Sequence, residues 1–337
     1  MEYKRVAIDT SKHVFTLHAV DASGRPVLRR DLSRARLVPF LSSLPPTEIA
    51  LEACGSSNHW AREAVKHGHQ AKLIPPQYAR QYRKRGKNDR TDAEAINEAA
   101  DRPTMRFVPV KSEEQQAASM LMKTRGLLIG QRTQLVNAIR GHAGEFGIVV
   151  ARGISNLREL REKIAASSIP EAAREAIELL AAQADDTDAR LTEIDRKLAT
   201  LHKSNEVSQR LAVVPGIGLQ TALTLATTVD AATFESGRHF AAWLGLTPKQ
   251  HSTGGKQRLG GISKAGNERL RSLLVTGAMA VIRHVRPGGR NATPWLLKLL
   301  ERKPRKVAAV ALANKMARVA WAMMARGEAY RRSPVAV

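Results

Sequence analysis

Four carboxylates carry the chemistry this sequence can offer: Asp9, Glu52, Asp89 and Asp92. Asp89 and Asp92 stand three apart in Lys87-Asn-Asp-Arg-Thr-Asp-Ala-Glu94, at what reads as a helix start, so one turn can point both acids the same way. Plainer roles also fit, Asp89 as an N-cap and Asp92 as a first-turn acid facing the helix dipole. Asp9 and Glu52 each follow a short apolar run that reads as a strand. In open α/β sheets ligands sit beyond the carboxyl ends of strands, so both would face one crevice. Converging carboxylates repel one another, and the usual reason to collect them is a divalent metal. Oxygen donors suit Mg²⁺, with Mn²⁺ as its substitute, and a pair of ions roughly 3.5–4 Å apart is the standard device of phosphoryl transfer. With a single cysteine, Cys54, the sequence argues against zinc.

The elements that must position these acids follow from the apolar pattern. Residues 3–9 read as a strand, 13–20 as its hairpin partner and 27–32 as a third strand after the Ser23-Gly-Arg-Pro26 turn. A helix over 37–44, a strand over 48–51, a helix over 58–66, a strand over 71–74 and helical text from Tyr78 through Ile96 complete an α/β domain over residues 1–108.

Strands then disappear. Residues 113–145 read as one long helix whose polar residues, among them Lys123, Arg125, Arg132, Arg140 and His142, form either a solvated face or a nucleic-acid surface. Leu191, Ile194, Leu198 and Leu201 repeat at the three-four spacing of a coiled-coil seam, so residues 109–207 read as a helical linker that spaces or dimerises the domains. A C-terminal domain over 208–330 opens on two helices joined by Pro215-Gly-Ile-Gly218. This matches a helix-hairpin-helix whose glycines let backbone N–H groups approach phosphate, or else a plain helical hairpin. The stretch 245–267 reads as a loop with Gly254, Gly255, Gly260, Gly261 and Gly266 among Lys249, Lys256, Arg258 and Lys264, able to lay its backbone against a polyanion. Of its hydroxyls, Ser263 reads as a turn or cap residue, whereas Ser252 follows His251 and is surrounded by cations. Helices over 267–284 and 305–327 follow, separated by the Arg286-Pro-Gly-Gly-Arg-Asn loop, and 331–337 is a tail.

The charge balance names the partner class. Fifty-four Lys and Arg against 31 Asp and Glu leave +23 and a pI near 10.8, which points to nucleic acid. Arg83, Lys84, Arg85 and Lys87 lie just before the paired aspartates and would draw a polyanion toward them. One cysteine excludes an intramolecular disulfide and fits a reducing cytosol. The uncharged run 211–229 is interrupted by Pro215, Gly216 and Gly218, unlike a bilayer span.

The chain resembles transposases of the insertion sequence 110 family, and its 1111 subgroup more closely. The matching text is Ala7-Ile-Asp-Thr-Ser-Lys12, Leu51-Glu-Ala-Cys-Gly55, Lys87-Asn-Asp-Arg-Thr-Asp-Ala-Glu94, Ile139-Arg-Gly-His142, Pro215-Gly-Ile-Gly218 and Gly245-Leu-Thr-Pro248 through Ser252-Thr-Gly-Gly-Lys256. The resemblance implies an RNase H-like, RuvC-type domain with Asp9, Glu52, Asp89 and Asp92 as its metal-binding tetrad. It implies a C-terminal domain with a nucleophilic serine, recombination of DNA guided by a structured bridge RNA, and dimers that assemble into tetramers in which one subunit's tetrad meets another's serine. Some relatives read Ser-Gly directly where this chain reads Ser252-Thr253-Gly254. Alignment to the glycine selects Thr253, while the less crowded primary hydroxyl favours Ser252. The residues alone also admit a RuvC-like nuclease that attacks with water, or a non-catalytic basic nucleic-acid-binding protein. Arg83, Lys84, Arg85, Lys87, Arg140, Lys249, Thr253, Lys256, Arg258 and Lys264 are the expected nucleic-acid contacts.

Overall fold

Alternation of large and small apolar residues shapes the N-terminal sheet. The computed structural model describes residues 2–84, 88–256, 258–286, 288–289 and 291–331. The chain divides into two compact units, Met1–Glu114 and Gln115–Val337. In the first unit the strands are Arg5–Asp9 (β1), Val14–Val20 (β2), Pro26–Ser33 (β3), Glu48–Glu52 (β4) and Gln70–Ile74 (β5), in the order β3-β2-β1-β4-β5. β1 and β2 pair antiparallel, as do β2 and β3, while β4 runs parallel to both β1 and β5. Val6, Ile8, Ile49 and Leu51 face one side and are covered by Leu37 and Leu41 of Arg34–Ser42 (α1) and by Trp60, Ala61 and Ala64 of Ser57–Lys66 (α2). The intervening residues Ala7 and Ala50 are register partners on the other face, where Ile96, Ala99 and Ala100 of Asp89–Ala100 (α4) pack on them.

Helical text does not run unbroken from Tyr78 as the sequence suggested. Pro76–Ala79 (α3) passes into a short 3-10 turn, and Arg83 is extended at φ −70° and ψ 125° before α4 begins. The break exists because Asn88, with extended φ and ψ, caps α4 and cannot itself be helical. Arg85 and Lys87 lie outside the described residues.

The second unit contains Glu113–Glu145 (α5, entering from the first), Leu157–Ala165 (α6), Glu171–Lys203 (α7), Glu206–Leu211 (α8), Leu219–Thr228 (α9), Gly237–Trp243 (α10), Pro248–Gln250 (β6), Leu259–Ile262 (β7), Glu268–Arg283 (α11), Pro294–Arg302 (α12) and Arg305–Arg326 (α13). Ile177, Ala184, Leu191 and Leu198 of α7 recur every seven residues and are buried. They and their neighbours pack on α5, with Ile177 and Ala181 beside Ile139 and Ala143, and Ile194 and Leu198 beside Met122. The seam read as a spacer or dimerisation device is therefore covered by the chain's own α5. Three arginines of the basic face of α5 are engaged as well. Arg125 pairs with Asp195 at 2.5 Å, Arg132 with Asp188 at 2.6 Å, and Arg140 donates to the carbonyls of Val150 and Ala151 at 2.9 Å.

Around α13, residues from α8 to α12 form the largest core, including Leu211, Phe240, Leu270, Leu274, Ala313 and Ala317. Among the described residues α13 alone has the length and composition to cross a membrane, and its buried face is part of this core. The Pro215-Gly-Ile-Gly218 turn does join two helices, α8 and α9. Gly216, at φ +89°, is there for contact: a Cβ would lie 3.0 Å from the Gly277 carbonyl oxygen of α11, and a Cβ on Gly277 would lie 1.9 Å from that of Gly216.

Candidate active site

The register of β1 and β4 sets two of the acids. Ile8 pairs with Leu51, so Asp9 and Glu52 are the next residues on adjacent parallel strands, both half-buried at their carboxyl ends. The other two come from the first turn of α4, which the sheet holds firmly. Buried Arg5 donates to Asp101 at 3.1 Å and to the Asn97 carbonyl at 3.2 Å and pairs with Glu48. The Asn97 side chain donates to the His18 carbonyl at 3.0 Å and to the ring nitrogen at 3.1 Å. Burial, then Arg29, pushes His18 below its ordinary value, which keeps the ring neutral and able to accept that bond. The sequence reading missed this Arg5–Asn97–His18 anchor; the buried charge at Arg5 inside an apolar strand was the available signal.

Asp89 is not the cap of its helix. Asn88 accepts the Thr91 N–H at 2.9 Å, and Thr91 completes a reciprocal capping box. The capping role once open to Asp89 is filled by its neighbour, leaving Asp89 exposed at the first helical position. Asp92 is partly buried and ion-paired with Arg83.

Asp9 feels the other three acids. Burial raises the Asp9 carboxyl from 3.8 to about 6, reinforced by Asp92, Asp89 and Glu52 in that order. Even so, among the described residues no three His, Cys, Asp or Glu side chains stand close enough to hold a metal ion in this arrangement. The two facts are compatible, because Coulomb repulsion acts over longer distances than coordination and the Arg83 guanidinium sits on Asp92 as an internal counter-ion. By chemistry alone, four oxygen acids are the donor type a hard divalent cation takes.

Ser252 lies elsewhere, in the second unit. The stretch expected to be a loop is a β-hairpin, β6 and β7 antiparallel with Pro248 opposite Ile262 and Gln250 opposite Leu259. At its tip Thr253 and Lys256 flank a tight turn, with Gly254 at φ +54° and Gly255 at φ +77°, a two-residue turn that glycine alone enters without strain. The exposed Ser252 hydroxyl accepts the Arg258 N–H at 3.2 Å, fixing it just before the turn. Lys249, Thr253, Lys256, Arg258 and Lys264 are exposed along the hairpin and its base. Its base is closed by Gly266, where a Cβ would fall 2.0 Å from the Trp243 carbonyl oxygen, and by buried Arg271, donating to the Leu244 and Ala265 carbonyls at 3.1 and 2.7 Å. Sequence reasoning passed over Arg271 because helix periodicity gives no warning that an arginine is turned inward.

Two other expected phosphate contacts are engaged within the fold: Arg83 by Asp92, and Lys84 by Glu94 at 2.6 Å. Arg140, holding two carbonyls, is the third.

Comparison with known proteins covers both units. Residues 6–146, which include all four acids, match the model of an IS110-type DEDD transposase domain, and residues 208–293, which include the Ser252 hairpin, match the transposase IS116/IS110/IS902 family model. The y4pF/y4sB transposase sequence of Sinorhizobium fredii is 53% identical over 98% of this chain and 86% of its own length. The transposase for insertion sequence element IS1111A of Coxiella burnetii is 40% identical over 98% of this chain and 92% of its own. That for element IS1328 of Yersinia enterocolitica is 38% identical over 96% and 98%. With two family models matched in order and relatives this similar along nearly the whole length, the chain belongs to the IS110/IS116/IS902 family of transposases.

Proposed function

We propose that the chain is a metal-dependent DNA recombinase in which Asp9, Glu52, Asp89 and Asp92 hold Mg²⁺ and Ser252 is the nucleophile. The observation that carries this reading is the Asp9 carboxyl, raised to about 6 by burial and by the three other acids. A carboxyl raised by burial and by three neighbouring like charges supports a cation site there. The strand order β3-β2-β1-β4-β5, with acids at the ends of β1 and β4, supports an RNase H-like domain.

Bound Mg²⁺ supplies charge neutralisation at the scissile phosphate and makes an attacking hydroxyl more acidic. The chain's residues do the rest. Ser252 Oγ attacks phosphorus, an Oγ–P bond forms, and the P–O bond to the departing deoxyribose oxygen breaks, with the serine proton ending on that oxygen. The ester keeps the bond, so a free DNA hydroxyl reverses the step on another strand with no external energy source. Lys249, Lys256, Arg258 and Lys264 hold the flanking phosphates. Guidance by a bridge RNA rests on the family resemblance and on the +23 charge, and dimers assembling into tetramers rest on the resemblance alone.

Denaturing gels with DNA of the element's end and Mg²⁺ test the reading. Wild type gives a covalent protein–DNA adduct, Thr253→Ala keeps it and Ser252→Ala abolishes it. An adduct that survives Ser252→Ala but not Thr253→Ala moves the nucleophile by one residue. Cut DNA with no adduct in wild type replaces the reading with a nuclease that uses water.

A further inference from the structure

One feature of the second unit has no part in the chemistry above. A groove of about 1410 Å³ runs between α13, α10, α12 and the β6–β7 hairpin. It exceeds the roughly 300–1,000 Å³ of a site for one small molecule, so it has room for several linked units. Its floor is apolar, with Leu246, Ile262 and Val310, while Val307 and Trp295 are 51% and 40% exposed. Arg238, Lys306, Lys315, Arg318 and Arg326 line it, and among the described residues no carboxylate does. The Lys315 ammonium lies 4.6 Å from the centroid of the Trp295 ring.

We propose that this groove binds an unpaired nucleic-acid strand, its phosphates on Arg238, Lys306 and Arg318 and a base stacked at Trp295. The proposal rests on the nucleic-acid reading above and adds to it where an unpaired segment goes. A duplex offers phosphates on its outside and keeps its base faces covered, so it has no use for an apolar floor. An unpaired strand presents both together, and aromatic stacking with a basic track is how such strands are held. A lining this rich in cations, of which only Arg326 is paired with an acid, Glu328, among the described residues, disfavours an ordinary protein helix, which would bring no regular row of negative charge. The hairpin wall of the groove is formed by Gly260 and Gly261 of β7, the strand that returns from the Ser252 tip. At Gly261 a Cβ would meet nothing within 4 Å, so side chains are absent there without any packing need in the protein itself.

That glycine gives a clean test. Labelled ten-nucleotide single strands, one of DNA and one of RNA with the same sequence, and a duplex control are titrated with the full chain and with Trp295→Ala and Gly261→Phe. Both variants should lose about tenfold in affinity for single strands, within the range of one stacked base, and bind duplex as wild type does. The DNA and RNA arms identify which strand the groove prefers. Should Trp295→Ala fail to fold, Gly261→Phe carries the test, since a Cβ at Gly261 meets nothing within 4 Å. Single-strand affinity unchanged in Gly261→Phe while wild type binds nucleic acid overturns the groove but leaves the recombinase reading intact. A change in that variant's oligomeric mass with no change in strand affinity also overturns it, in favour of a contact between copies. Failure of wild type to bind any nucleic acid sinks both.

Discussion

At Asp9 and Arg83 the fold carries charges that its own packing does not require. Between about pH 4 and 6 the folded protein holds a proton on Asp9 that the unfolded chain has released, so folding stability falls as pH rises through that window. Asp9→Asn removes this penalty. Solvent reaches the half-buried group and screens it, so we expect a gain of about 1 kcal/mol at pH 7 in chelator, vanishing near pH 4. Thermal unfolding at the two pH values measures it, and an equal gain at both would assign the effect to packing. Arg83 acts on the same cluster from the other side. On the proposed function a divalent cation held by Asp92 would displace that guanidinium, so Arg83→Ala should bind Mn²⁺ about fivefold more tightly by calorimetry, the equivalent of one partly exposed ion pair. Unchanged or weaker binding would mean that Arg83 supports the acids rather than competing for them.

The elements differ in how much of them the residues announce. Gly266 and Gly261 sit on the same hairpin motif, yet a Cβ at Gly266, φ +68°, would strike the Trp243 carbonyl, and one at Gly261 would strike nothing. Gly266→Ala should cost about 2 kcal/mol or more and open the hairpin to trypsin at Lys256 and Arg258, while Gly261→Ala stays within about 0.5 kcal/mol of wild type. Equal melting temperatures for the two would remove the strained base from the account. Nothing in the text of 245–267 separates these glycines, because close approach is a property of the folded backbone. The five N-terminal strands and α5, by contrast, were legible from apolar runs bounded by turn residues, and the register then delivered Asp9 and Glu52 to adjacent strand ends. The α4 aspartates were found by spacing, but their freedom from capping depended on Asn88 and Thr91, a choice only the hydrogen bonds reveal. α12 went unread although Thr293 and Pro294 mark its start, since the apolar Trp295 to Leu300 run is short and follows a glycine-rich loop. The α7 seam had the right period but an unforeseen partner, because a heptad specifies a groove to fill and not which chain fills it.

For the whole molecule, +23 is the dominant fact, and the structure sorts the cations that make it up. Arg125 and Arg132 hold α5 to α7 through Asp195 and Asp188, whereas Lys249 and Lys256 stand exposed on the hairpin. Composition cannot draw that distinction, but salt can. If five to ten phosphates are contacted, log affinity for duplex DNA should fall against log salt with a slope of about −4 to −9. Lys256→Ala should make the slope shallower by about one, the signature of a lost phosphate contact, without altering the melting temperature. Arg125→Ala should do the reverse, leaving the slope as it is and lowering the melting temperature, since its guanidinium is bound to Asp195 and not to solvent. A slope that responds to Arg125 but not to Lys256 would mean that the α5–α7 pair opens to meet nucleic acid, and a flat salt response in wild type would count against every nucleic-acid role assigned to this chain.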